Sequence, residues 1–130
     1  MEKEFVPYEL ALLMKIYGFN EPCLAGYNSS SGKLEYYSRP LVTKDSFTVD
    51  APAFSQAFRW FREKYGIMHR ITSYAFGYQI HLDNTPDNSI IHVDRRYDSD
   101  VDYKTYEEAE ISCLEKLIEI IEGKEVEKVK

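Results

Sequence analysis

Apolar positions along this chain switch between two periods, and the switches mark its elements. Leu10, Leu13, Met14 and Tyr17 recur at helical spacing. Pro7 suits the first helical position, where its missing N–H costs nothing. Gly18 followed by Phe19 reads as the stop, with Gly left-handed and Phe packing back on the last turn. A first helix is therefore predicted within residues 1–18.

The next stretch is extended. Cys23 to Tyr27 and Leu34 to Ser38 flank Asn28-Ser29-Ser30-Ser31-Gly32, a turn by composition. Together they predict a β-hairpin ended by Pro40. From Leu41 to Val49 the pattern is vague, with a short strand at Ser46 to Val49. A functional loop is expected between Ser38 and Asp50.

The stretch from Ala51 to Ile67 predicts a central helix, started by Pro52 and stopped by Gly66. Phe54, Ala57, Phe58 and Phe61 fall on one face, with Tyr65 extending it. Trp60 points off that face and needs another neighbour. Arg59, Arg62, Glu63 and Lys64 take the outer side.

Tyr74, Phe76, Tyr78, Ile80 and Leu82 alternate with Ser73, Ala75, Gly77, Gln79 and His81. A period of two marks a half-buried strand with one wet face. Asn84 to Asn88 is its turn and Ile90 to Arg95 the return strand. A last helix is predicted from Thr105, with Glu108 three residues on completing a capping box. Ala109, Cys113, Leu114, Leu117, Ile118 and Ile121 track one face, interrupted only by Glu110. Gly123 should end it, leaving a charged tail over 124–130.

The fold class expected is α+β: a small antiparallel sheet of two hairpins with three helices, in the order α-β-β-α-β-β-α. Residues 1–123 form one domain, in keeping with a 130-residue chain. Both halves open with a Pro-started helix that ends in Gly and runs into a hairpin, but their residues do not match as a repeat would.

Composition narrows the context. The chain is 44% hydrophobic and 29% charged, which is globular and not disordered. No apolar run approaches the ~20 residues that span a bilayer, and the N-terminus lacks the pattern of a secretion signal. A cytoplasmic protein is expected. The net charge of −6 argues against a nucleic-acid partner, whose recognition rests on clustered Lys and Arg. Cys23 and Cys113 both sit in apolar contexts and read as buried free thiols.

Three segments carry a resemblance. Gly18-Phe19-Asn20-Glu21-Pro22-Cys23 has the form GF-x-EPC. Ala51-Pro52 with Ala57, Trp60, Phe61, Arg62 and Glu63 has the form AP-x(4)-A-x-x-W-F-RE. Tyr103 to Ala109 has the form Y-x-T-YEEA. Together they resemble a family of small uncharacterised proteins of gut Bacteroidetes, their prophages and phages. The resemblance covers most of the chain and departs between Asn28 and Asp50. It implies a cytoplasmic accessory protein of a mobile element, in the host cytoplasm if phage-encoded. The resemblance implies no activity, so no functional residue carries over, and the shared positions read mainly as helix starts, stops and core anchors.

Candidate chemistry is sparse. His81-x-Asp83 and His92-x-Asp94 lie on two strands of one hairpin, and in one register all four converge as a set for a divalent metal or for acid–base work. A one-residue slip separates them, and the plainer reading is a solvated polar face. Asp98-x-Asp100-x-Asp102 begins like a calcium loop but has Tyr103 where the Gly belongs and Ala109 where the Glu belongs. Eleven tyrosines are about three times average usage. Tyr27, Tyr36, Tyr37 and Tyr97 are the candidates for a partner surface or a nucleotide-stacking site. The reading favoured is a non-catalytic interaction protein that binds a host or viral protein. A nucleotide binder using the tyrosines and a metal-dependent enzyme using the His-x-Asp pairs are the alternatives. No cofactor is implied, no membrane is involved, and a homo-oligomer is compatible with this reading.

Overall fold

A computed structural model describes residues 2–74, 77–83, 91–93 and 103–129 of the chain. The class is α+β, and helices and hairpins follow the expected order, with a third strand joined to each hairpin. The chain divides into two compact units, Met1–Ala57 and Phe58–Lys130.

The first unit begins with helix α1, Tyr8–Ile16. Its stop is the one the sequence predicts. Gly18 has φ +104°, Gly18 N–H donates to the Lys15 carbonyl at 3.1 Å and Phe19 N–H to the Met14 carbonyl at 2.9 Å. This is a Schellman cap, and Phe19 is buried behind it. Strands β1 (Cys23–Asn28), β2 (Leu34–Leu41) and β3 (Thr48–Ala51) follow. They form one antiparallel sheet in the order β2-β1-β3. Helix α1 packs on β3, and Phe5, Ala25 and Ala51 pack together with Tyr27 and Leu34 against them.

Two expectations change here. Pro40 does not end β2, which continues to Leu41. The strand lies at the edge of its sheet, where a missing N–H need not break the ladder. The strand expected at Ser46–Val49 lies at Thr48–Ala51 and pairs with β1, Gly26 opposite Asp50.

Helix α2 spans Phe54–Tyr65 and stops at Gly66, φ +73°. Its aromatic face is buried at Phe54, Phe58 and Phe61. Trp60, off that face, is buried as well. Its ring meets Phe61 and Tyr65 edge-on, with Lys64 Nζ 5.0 Å from the ring centre.

The second unit holds β4 (Met68–Tyr74), β5 (Gly77–Asp83) and β6 (Ile91–Val93), an antiparallel sheet in the order β4-β5-β6. The alternating run 73–82 is therefore not one strand. Tyr74 pairs with Gly77 across a hairpin, and Gly77 has φ +146°. Alternation with period two runs on through both strands, so the pattern alone does not show the reversal. The first unit has its first strand in the centre and the second unit its middle strand, so the shared grammar of the two halves is not a structural repeat.

Helix α3, Tyr106–Val129, packs on β4 and β5. Glu108 N–H donates to Thr105 Oγ1 at 3.1 Å, and Glu108 Oε2 accepts from Lys104 N–H at 3.2 Å, which is the predicted cap shifted by one amide. Ala109, Cys113, Leu114, Leu117, Ile118 and Ile121 are buried, as are Ile80 and Leu82 of β5, on which the helix packs. The helix does not end at Gly123. The residues after it are mostly good helix formers with no Pro, which outweighs the ~1 kcal/mol that an interior Gly costs.

Candidate interaction surface

The face of the first sheet that carries Asp50 is built around one glycine. Gly26 lies on central strand β1 between Glu35 of β2 and Asp50 of β3. With no side chain there, the Tyr37 ring crosses β1 and donates its hydroxyl to Asp50 Oδ1 at 2.7 Å. Thr43 donates its hydroxyl to the same oxygen at 2.9 Å and its N–H to Oδ2 at 3.0 Å. The carboxylate thus accepts three bonds and fastens the start of the loop between β2 and β3 to the sheet. Burial, and then the bond to Asp50, push the Tyr37 phenol well above its ordinary pKa.

The far end of that loop is fastened too. Phe47 N–H donates to Asp45 Oδ1 at 2.9 Å. The Phe47 carbonyl accepts from Ser29 N–H at 2.8 Å and from Ser29 Oγ at 2.9 Å. Next along the chain, the Thr48 carbonyl accepts from Lys15 Nζ at 3.3 Å. Yet Phe47 is 67% exposed. An ordered backbone presents an apolar ring to solvent. Ile16, beside Lys15, is 65% exposed, and Leu24 of β1 is exposed as well. A cleft of about 330 Å³ in the same unit is lined by Lys15, Phe19, Asn20, Val42, Thr43 and Asp50.

The residues singled out from the sequence fall in several places. Tyr27 donates its hydroxyl to the Val6 carbonyl at 3.0 Å and meets Tyr8 edge-on. Tyr37 is committed to Asp50. Tyr36 rests against Phe5, ring centres 5.8 Å apart, and stays 51% exposed. In the second unit the register sets His81 opposite His92 on one side and Arg70 on the other, with Asp83 opposite Met68. Asp94, Tyr97 and the Asp98–Asp102 run lie outside the described residues. Among the described residues, no three His, Cys, Asp or Glu are grouped to hold a metal ion.

Both cysteines are buried free thiols. Burial, then the Asp50 and Glu21 carboxylates, push Cys23 up to about 12. Burial and then Glu110 push Cys113 up to about 12. Neither forms the thiolate that nucleophilic chemistry needs near neutral pH.

Two features of these units were not singled out from the sequence. Phe47 is one, and its only signal was its place in the loop flagged as functional. His69 is the other: its ring stacks on Phe58, centres 3.8 Å apart and 10° from parallel. Nothing in the local sequence pairs a helix residue with that strand residue. No family model, curated protein or solved structure matches this chain.

Proposed function

We propose that this chain is a non-catalytic interaction protein of a phage or mobile element, acting in the host cytoplasm, and that it binds a host or viral protein through the 42–47 loop. The observation that carries this reading is Phe47, whose amide and carbonyl are held by hydrogen bonds while its ring stands in solvent. Burying a Phe side chain is worth roughly 1.5–3 kcal/mol. A loop already ordered loses little entropy on binding, so more of that gain appears as affinity. Aromatic anchors of this kind concentrate binding energy. The net charge of −6 favours a protein partner over nucleic acid. Among the described residues, no helix is long and apolar enough to cross a membrane.

The test is a photo-crosslinking amino acid placed at position 47 and, as control, at the exposed Lys44, in host cells. A discrete adduct formed from position 47 and not from Lys44 supports the reading. Equal or no adducts at the two positions contradict it.

A further inference from the structure

A second recognition feature lies in the other unit and is independent of the Phe47 loop. The Tyr78 and Tyr106 rings stand nearly perpendicular, 83° apart, with centres 5.7 Å apart. This is an edge-to-face contact, in which the two ring planes meet at nearly a right angle. Tyr78 comes from β5 and is fixed there by its N–H bond to the Tyr103 carbonyl, 2.9 Å, which bridges Tyr103 to it as an antiparallel partner. Opposed residues of such a bridge share a face of the sheet, so Tyr103 stands on the Tyr78 side. Tyr106 comes from the first turn of α3 and is 44% exposed.

Glu110 lies one helical turn on from Tyr106, on the same side of α3. It is the one acid in the apolar stripe of that helix, and it is half-buried. Burial, and then the like charge of Glu107, raise its carboxyl above the ordinary range. Among the described residues Glu110 makes no hydrogen bond or ion pair. A half-buried carboxylate with only a like-charged neighbour is costly unless something positive joins it.

The same unit shows what such a site takes. At the Trp60 and Tyr65 rings the chain supplies its own cation, Lys64 Nζ, at 5.0 and 5.4 Å from the two ring centres. At the Tyr78 and Tyr106 rings, the described residues bring aromatic faces and an acid without a cation. Ammonium groups bind to ring faces within about 6 Å of their centres, and quaternary ones are held in cages of such rings.

We propose that the corner between Tyr78 and Tyr106, backed by the Glu110 carboxylate, binds an organic ammonium group: a lysine side chain of a partner protein, methylated or not, or a free quaternary amine. The ring faces supply attraction without hydrogen bonds, and Glu110 supplies the countercharge.

The test uses the full chain and follows the tyrosine ring signals by NMR. The probes are tetramethylammonium chloride, a peptide bearing trimethyllysine, the same peptide with plain lysine, and its neutral tert-butyl isostere. Saturable shifts of the Tyr78 and Tyr106 rings are expected with the cationic probes, and at least tenfold weaker binding of the neutral isostere. Glu110→Gln and Tyr106→Leu should each weaken binding at least fivefold. Tighter binding of a peptide than of tetramethylammonium assigns the site to a protein side chain, and the reverse order to a small amine. Glu110→Gln removes a half-buried charge and should raise the thermal midpoint, so a folded variant remains if Tyr106→Leu does not fold. No saturable shift with any cation overturns the proposal, as does equal binding of the neutral isostere or binding unchanged in Glu110→Gln.

Discussion

The Tyr37 ring lies over Gly26, and its hydroxyl occupies the space that a β-carbon at Gly26 would take. Such a carbon would also stand 2.8 Å from Tyr37 Cζ and 3.0 Å from Thr48 Cγ2. The bond from Tyr37 to Asp50 therefore depends on the absence of a side chain one strand away.

Gly26→Ala should lower the free energy of unfolding by about 1–3 kcal/mol, the usual cost of overpacking, measured by urea denaturation. The cost should shrink in a Tyr37→Ala background, where the ring is gone. Equal costs in the two backgrounds would show that the two residues do not interact. The phenol adds a pH signature. Its folded pKa is raised, so its contribution is complete below pH ~10 and is lost as pH rises above that.

His69, stacked on Phe58, sets a dependence of opposite sense. Burial, and then the Arg62 guanidinium, hold its pKa below the ordinary value of about 6.5. The unfolded chain then binds more protons in the window below 6.5, so stability falls as pH falls through it. Urea midpoints at pH 7.5 and 5.5 should differ less for His69→Phe, which keeps the stack and removes the titration. An unchanged difference would mean that His69 plays no part in it.

Cys23 and Cys113 should be silent to a thiol reagent at pH 8 while the protein is folded. Both are buried and held near pKa 12, so labelling should proceed at the rate of unfolding and reach two thiols per chain in denaturant. Fast labelling of either thiol in the native protein would contradict that placement.

Gly123→Ala distinguishes a helix that passes through position 123 from one that stops there. A β-carbon at this position meets nothing within 4 Å, and α3 runs on to Val129. Alanine should therefore raise stability by about 0.5–1 kcal/mol. A left-handed cap at Gly123 would make the same change destabilising.

Much of the fold was legible because local chemistry and tertiary structure agree. Gly18-Phe19 closes α1, Gly66 closes α2, and Thr105 with Glu108 caps α3. The errors lie where one pattern serves two structures. The alternation through Tyr74 and Tyr78 continues across a chain reversal, and Pro40 is tolerated because β2 is an edge strand. The candidate surface was legible only as a region. A Gly inside an apolar strand often marks close backbone or side-chain approach, which was the available sign of the Tyr37 crossing. The exposure of Phe47 and the stack of His69 on Phe58 arise from long-range packing and leave no mark on neighbouring residues.

Whether Phe47 is a presented anchor is decided by comparing wild type with Phe47→Ala in a quantitative pull-down from host lysate at physiological salt. A protein retained specifically by wild type should be depleted at least tenfold with Phe47→Ala, while the thermal midpoint stays within about 1 °C, since a residue 67% exposed contributes little to folding. Equal retention by the two proteins, or no specific retention by wild type, would contradict it.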